Sequence, residues 1–293
     1  MLSFLQINLH KASQATVLLG GRLEGKKRTV VLATEPYTMK NKVVGFPRGT
    51  KVICSGRESV LAPRAAIVAS LDTNITAMDS WCNRDCAVAL TNVGGVRTVL
   101  VSLYLDIKLD VQPDWLDGLM RMIDDKGYPV IIGVDSNAHS SMYGPDNNAR
   151  GNAFEDFVLQ YGLCVENLGT KPTFETRREN GMVRTHIDVT LSRDIQAPIR
   201  GWRVDDGYNA SDHNTILFET ETYKTEPELS RQWSKANWGI FKERLTHANY
   251  GVPKDMSMKK LDKLVDRVYG ILEKALDKAC PRVAVRTGVS KSH

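Results

Sequence analysis

The chain has 293 residues, 42% of them hydrophobic and 25% charged, a composition that excludes disordered and low-complexity classes and leaves room for one large domain with an appendage. No apolar run reaches the roughly 20 residues that a membrane-spanning helix needs, and runs such as Tyr128–Val134 are strand-sized, so no membrane partner is expected. The net charge of +5 is uneven: residues 1–222 hold 24 Lys+Arg against 26 Asp+Glu, and residues 223–293 hold 15 against 8, so charge alone does not make the first part a nucleic-acid binder.

The N-terminus enters an apolar strand at once, without a basic region or a cleavage-type segment, and no signal peptide or secretion is expected. Strand-type runs rich in Val, Ile, Leu and Thr follow at Leu2–Asn8, Thr29–Thr34, Lys51–Cys54, Ala65–Ser70, Cys86–Thr91 and Val96–Leu103. They continue at Pro129–Val134, Arg184–Leu191 and Thr215–Glu219. Helical periodicity marks Ala12–Leu23, Trp115–Ile123 and Asn152–Gln160. Many strands with few helices between them predict an α+β fold of two packed sheets with helices outside, rather than a parallel doubly wound sheet. Cys54, Cys82, Cys86, Cys164 and Cys280 are irregularly spaced. The C-x3-C pair Cys82/Cys86 has no second pair at zinc-site spacing, so reduced thiols are expected. A polar linker is read at 223–232. One helix is then read near Ser234–His247, and another after Pro253, with Leu261, Leu264, Val268, Leu272 and Ala275 on one face. Cys280-Pro281 stops it, and 282–293 is read as a polar tail without structure. The expected domains are 1–222 and a helical extension, 223–293.

Five strand ends carry candidate chemistry. Asn8 ends the first strand, and Glu35 follows Thr29–Thr34 directly. Asp135-Ser136-Asn137 ends Pro129–Val134, Asp188 lies within the β-run at 184–191, and Ser211-Asp212-His213 precedes the strand at 215. Each has a bland reading: an Asx turn for Asp135 and Asn137, an exposed loop for Glu35 and Asp212-His213, a solvated edge-strand face for Asp188. A carboxylate inside a β-run is nonetheless disfavoured and needs a partner when buried, a need that His213 would meet. Together the five supply what hydrolysis of a phosphodiester requires: oxygen ligands for a hard cation, a base for water and a donor for the phosphate.

Gln6-Ile7-Asn8-Leu9, Thr34-Glu35-Pro36-Tyr37, Gly133-Val134-Asp135-Ser136-Asn137-Ala138-His139, Ile187-Asp188-Val189-Thr190-Leu191 and Ser211-Asp212-His213-Asn214 resemble, in order and wording, the endonuclease/exonuclease/phosphatase superfamily. They are most similar to the apurinic-like endonuclease domains of insect-type non-LTR retrotransposons. Trp233, Lys235-Ala236-Asn237-Trp238, Phe241 and Ala279-Cys280-Pro281-Arg282 resemble the linker towards a reverse transcriptase in such polyproteins. The resemblance implies a four-layer α/β sandwich, Mg2+ (or Mn2+) as cofactor, and nicking of double-stranded DNA in the nucleus after synthesis in the cytoplasm. It implies a parent polyprotein that supplies the reverse transcriptase. Residue by residue, it implies that Glu35 holds the metal with Asn8 beside it and Asp212 close by. Asp135 would orient or deprotonate the water, Asn137 would help to hold the water or the phosphate, and His213, oriented by Asp188, would face the phosphate. Tyr104 would contact the phosphate, with Thr173 as a further contact. His10 departs from the pattern, because repair members of the superfamily carry an acidic metal-side residue there.

Asn180-Gly181 predicts a β-hairpin with a type I′ turn. Arg177, Arg178 and Arg184 cluster around it as candidate DNA-binding residues, with Arg150, Lys171 and Tyr143 as further backbone contacts; the bland alternative is a solubilising surface hairpin. Three classes of function follow: a retroelement endonuclease, another hydrolase of the superfamily (repair endonuclease, DNase or phosphatase), and an inactive remnant that only binds.

Overall fold

The structure, a computed structural model, describes residues 1–55, 61–179, 181–220, 229–231, 233–251 and 258–284. The chain divides into two compact units, Met1–Lys224 and Thr225–His293.

In the first unit the strands are, in chain order, β1 (Leu2–Asn8), β2 (Thr29–Thr34), β3 (Thr38–Met39), β4 (Lys42–Val43), β5 (Thr50–Cys54), β6 (Ala65–Ser70), β7 (Ile75–Ala77), β8 (Cys86–Val93) and β9 (Val96–Tyr104). They continue with β10 (Val130–Asp135), β11 (Cys164–Val165), β12 (Phe174–Arg178), β13 (Gly181–Thr185), β14 (Asp188–Arg193), β15 (Ile199–Val204) and β16 (Ile216–Thr220). Among the described residues, three α-helices interrupt them: α1 (Ser13–Leu23), α2 (Asp114–Lys126) and α3 (Ala149–Gln160). One six-stranded sheet runs β15-β16-β1-β2-β6-β5 and a second runs β11-β14-β10-β9-β8-β7. Only β1–β2 and β9–β10 pair in parallel within them. Both parallel pairs aim their C-terminal ends at the same region, and the catalytic candidates are found there.

The layering follows from which face each strand buries. Phe4, Val30, Leu32, Ile67, Leu100, Ile131 and Phe218 fill the space between the sheets, with Phe4 and Phe218 stacked 4.7 Å apart. Leu5, Ile7, Val31 and Val68 face the other way, onto Ala15, Leu19 and Leu23 of α1. Val101, Leu103, Ile132, Val134, Val189 and Leu191 face α2 and α3, where Leu116, Leu119, Ile123, Phe154 and Phe157 meet them. Strands β2, β6 and β10 are therefore buried on both faces, and their sequences read as unbroken apolar runs. The helices have local reasons to start and stop. Asp114 and Asp117 lie in the first turn of α2 and Lys126 in its last, with Gly127 closing it in the left-handed region at φ 60°. Asn148 caps α3 by accepting from Gly151 N–H.

One expectation and one bland alternative are corrected. The run Arg184–Leu191 is two strands, β13 and β14, because the N–H groups of Ile187 and Asp188 donate to the Thr173 hydroxyl, both at 3.0 Å, instead of continuing a ladder. β14 is also no edge strand, since it lies between β11 and β10.

In the second unit, Leu229–Arg231 (β17) pairs with Arg282–Ala284 (β18), and α4 (Trp238–Thr246) packs with α5 (Met258–Ala279). Asn237 caps α4 by accepting from Ile240 N–H. Arg231 anchors the pair of strands to α5 through Glu273 and Asp277, at 2.8 and 2.9 Å. The linker read at 223–232 lies outside the described residues apart from β17. Of the tail read as unstructured, 282–284 forms β18 and 285–293 lies outside the described residues.

Candidate active site

Asn8, Tyr104 and Asp135 end β1, β9 and β10, and Asp188 begins β14 directly opposite Asp135. Tyr104 is the β9 partner of Asp135 on the other side, so Asp188, Asp135 and Tyr104 form one row across three neighbouring strands. Glu35 follows Thr34, the partner of Asn8, and His213 sits in the loop before β16. With Asn137 and Asp212 these residues line one cleft of about 510 Å³; only Asp188 stays behind it, 1% exposed.

Two hydrogen bonds join the sheets here. Asn8 Nδ2 donates to Asp135 Oδ2 at 2.7 Å, and His213 Nδ1 lies 2.7 Å from Asp188 Oδ2. Deeper in, Gln6 reaches across, donating to Val189 O at 3.0 Å and accepting from Thr190 Oγ1 at 2.8 Å. Gly133 makes room for it: a β-carbon there would stand 2.8 Å from Leu32 Cδ1 and 3.0 Å from the Gln6 amide. The loop that carries His213 is fixed independently, with Ser211 Oγ donating to Asn8 O at 2.8 Å and Asn209 Nδ2 to His213 O at 2.7 Å. Phe174 packs edge-on against the His213 ring, 4.9 Å between centroids.

Backbone strain concentrates at the same place. Of the nine non-glycine residues with positive φ among the described residues, His10, Lys11, Glu35, Asn137 and Ala210 all belong to the corners around the cleft. Left-handed φ costs a non-glycine residue about 1 kcal/mol or more and persists where the surroundings enforce it. Asn137 shows the enforcement. Its N–H donates to Asp135 Oδ1 at 3.2 Å, the Asx turn of the bland reading, and its side chain donates to Leu105 O at 3.1 Å. The turn and the site are the same structure.

Burial and proximity shift the titrating groups. Burial, reinforced by the charge of Asp188, pushes the Asp135 carboxyl up to about 7, against the opposing pull of His213 and the Asn8 amide. Burial alone would push the His213 imidazole down. The charge of Asp188 and its hydrogen bond, with Asp135 and Asp212 beyond, raise it instead to about 9. The Tyr104 hydroxyl is pushed up by burial and by Glu35 and Asp135 and stays a neutral donor. Near neutral pH the cleft thus holds a carboxyl close to its titration point beside an imidazolium.

Arg64 had no part in the sequence reading, although it stands directly before β6 as Glu35 stands directly after β2. It is 7% exposed, forks onto Asp85 at 2.5 and 2.7 Å, and reaches Asp106 at 2.5 Å. Its guanidinium carbon lies 4.7 Å from the Tyr104 ring centroid, and its carbonyl accepts the Glu35 N–H at 2.7 Å. One buried arginine therefore supports both the carboxylate and the phenol. A charged residue abutting an apolar strand was the signal that could have found it.

Asp135, Asp188 and His213 bring three potential ligand atoms within 4.8 Å of one another, a group that could hold a metal ion. Two of these residues, His213 and Asp188, already bond to each other. The hard oxygens open to the cleft belong to Glu35 and Asp212, with side chains 14% and 22% exposed. Glu35 Oε1 holds a cation, Lys11 Nζ, at 2.8 Å, and Asp212 Oδ1 lies 2.9 Å from His10 Nδ1. Their chemistry fits an oxygen-seeking divalent ion. Asn8 fits it less directly, because its oxygen accepts from His10 N–H at 2.7 Å and its NH2 group faces Asp135 and Glu35.

Other expected residues lie elsewhere. Thr173 is fully buried and does not line the cleft; its hydroxyl accepts the Ile187 and Asp188 amides, so it sets the position of Asp188. The hairpin β12–β13 forms, with Arg178 opposite Gly181. Gly181 has φ 118°, and Asn180 of the expected turn lies outside the described residues. The strand pleat separates the three arginines: Arg178 reaches the cleft with Thr176, Val183 and Thr185, whereas Arg184 pairs with Glu175 at 3.1 Å and Arg177 is exposed away from the cleft lining. Arg150 spends its guanidinium on main-chain carbonyls, Lys171 pairs with Asp206, and Tyr143 is buried; none of the three lines the cleft.

A family model described as endonuclease-reverse transcriptase matches residues 98–217. Over 308 aligned positions the chain is 27% identical to the 115 kDa protein of the type-1 retrotransposable element R1DM of Drosophila melanogaster; the alignment takes in 98% of this chain and 29% of that protein. The chain thus spans less than a third of that relative. Among solved structures, the endonuclease domain of TRAS1, a telomere-specific non-LTR retrotransposon, is 27% identical with a TM-score of 0.66, over 76% of this chain and all of that domain. An AP endonuclease from Archaeoglobus fulgidus, 14% identical with a TM-score of 0.53 over 76% of this chain and all of that one, shares the fold. Sheet order, cleft and sequence likeness converge, and the first unit is an endonuclease/exonuclease/phosphatase-superfamily domain related to the endonucleases of non-LTR retrotransposons.

Proposed function

We propose that this chain is a magnesium-dependent endonuclease that hydrolyses one phosphodiester of double-stranded DNA and leaves a single-strand nick. The observation that carries the reading is the pairing of Asp135 with Asn8 and of His213 with Asp188 across the seam of the two sheets. It sets a carboxyl with a raised pKa beside an imidazolium in one open cleft. Water attacks phosphorus as Asp135 takes its proton, the new P–O bond forms, and the bond to the 3′ oxygen breaks, the leaving oxygen taking up a proton from solvent water to become the 3′-hydroxyl. His213 keeps Nδ1 on Asp188, so its other nitrogen donates to the phosphate where charge builds up. Tyr104, held by Arg64, gives a neutral O–H to the same phosphate, and Asn137 borders the water. Glu35 and Asp212, with Asn8 alongside, would hold Mg2+ (or Mn2+), whose charge neutralises the phosphate.

The hairpin supports a duplex substrate, since it places Arg178 on the rim of the cleft. The likeness to R1DM and TRAS1 supports use of the nick in the nucleus: the freed 3′-hydroxyl primes a reverse transcriptase carried by the parent polyprotein.

Supercoiled plasmid with Mg2+ tests the reading. Wild type is expected to give open circles, a chelator to stop it, and Asp135→Ala and His213→Ala to slow it by at least about 100-fold. Activity that survives both substitutions refutes the site, and nicking confined to abasic duplexes refutes the retroelement reading in favour of repair.

A further inference from the structure

The loop after β9 carries a side chain that hydrolysis does not use. Ile107 is 64% exposed and forms part of the wall of the catalytic cleft. An exposed aliphatic residue signifies nothing by itself; the support beneath this one does. Arg150, from the first turn of α3, donates to four main-chain carbonyls: Ser136 at 3.0 Å, Leu105 at 3.2 Å, Asp106 at 3.0 Å and Leu109 at 2.7 Å. On the other side Arg64 grips the Asp106 carboxylate, whose second oxygen accepts Lys108 N–H at 2.9 Å. Leu105 N–H donates to Asp135 O at 2.9 Å, which ties the loop to the catalytic strand itself.

Two arginines thus fix the backbone on both sides of Ile107 and leave its side chain bare. The side chain is β-branched and stiff, so little freedom remains to be lost on contact. The surrounding walls offer carboxylates for a cation, amides and imidazole for a phosphate, and the apolar Phe174, Val183 and Ile187. A rigid apolar projection among them matches a ligand that presents apolar surface close to its phosphates, and in duplex DNA that surface is the base stack.

We propose that Ile107 is a wedge that presses between the bases next to the scissile phosphate, unstacks them and kinks the duplex. Site choice then includes the deformability of that step, favouring flexible pyrimidine–purine steps, in addition to contacts from the hairpin. The proposal rests on the DNA reading above.

The test maps the preferred nick of wild type in a long duplex, then compares a short matched duplex of that sequence with one carrying a mismatch at the step beside the nick. Ile107→Ala is expected to lose about tenfold in single-turnover rate on the matched duplex and under about twofold on the mismatched one, whose bases are already loosened. Leu168→Ala, an equally bare residue at 67% exposure, is expected to match wild type on both. In a binding-only background, Asp135→Asn, 2-aminopurine beside the nick is expected to brighten, and adding Ile107→Ala is expected to abolish the rise. An equal loss on both duplexes, no loss on either, or unchanged 2-aminopurine overturns the wedge. Failure of wild type to nick any duplex overturns the DNA reading instead.

Discussion

His213 is 5% exposed and lies between carboxylates, and its charge decides what it offers a phosphate. Its pKa of about 9 is a balance between burial, which favours the neutral ring, and Asp188, which favours the charged one. Removing Asp188's charge takes away the strongest of the influences that raise it and leaves only Asp135 and Asp212 against burial. In Asp188→Asn, His213 is therefore expected to titrate well below the wild-type value of about 9, seen directly in the imidazole NMR signals, and nicking at pH 8 to fall by about 100-fold. In wild type the rate rises with pH as Asp135 loses its proton near 7 and falls again as His213 loses its own near 9. A His213 signal that still titrates near 9 in Asp188→Asn refutes this account. At this scale the sequence was informative about which residues matter and, through the partner that a carboxylate inside a β-run needs, about the pairing of Asp188 with His213, 25 residues on. It was silent about the pairing of Asn8 with Asp135, 127 residues apart. Thr173, beside Phe174, resembled a phosphate contact, yet its hydroxyl serves two buried amides.

At the scale of elements, the hairpin β12–β13 joins the catalytic loop through Glu175 N–H to Asp212 O at 2.8 Å and Asn214 N–H to Thr173 O at 2.6 Å. Its base is anchored to the His213 loop and its arms reach the rim of the cleft. Replacing residues 177–184 by a neutral loop is expected to change which sequences are nicked more than the total rate of nicking. Arg178→Ala alone is expected to shift the pattern more than Arg184→Ala, because Glu175 already neutralises Arg184. Sequencing the nicks on a long duplex checks both, and an unchanged pattern in the loop replacement defeats the assignment. Most strands were legible because their apolar runs are long and bounded by turn residues. The break between β13 and β14 was not, since it depends on a hydroxyl from another segment capturing two N–H groups. Strands of two or three residues such as β3, β4, β7 and β11 carry too few residues for a period to show.

For the whole molecule, Met1–Lys224 has apolar clusters between its sheets and under its helices, and the solved TRAS1 domain is matched in full by 76% of this chain. The first unit expressed alone is expected to unfold in one cooperative transition and to keep its nicking activity. Its DNA affinity is expected to fall less steeply with salt than that of the full chain, because the basic excess lies in 223–293. A truncated unit without near-UV circular dichroism, or with an unchanged salt slope, would defeat these expectations. The amino-acid sequence by itself determined the α+β class, the span of the long strands and helices, and the identity of the residues at the strand ends, all of which follow from local periodicity and turn chemistry. Only the tertiary structure decided that the parallel strands of two sheets bring their C-terminal ends together, that Asn8 pairs with Asp135, that Arg64 braces Tyr104, and that Ile107 stands bare on a pinned loop. Those relations depend on groups far apart in the chain being brought within hydrogen-bond reach, where burial and charge act on them together.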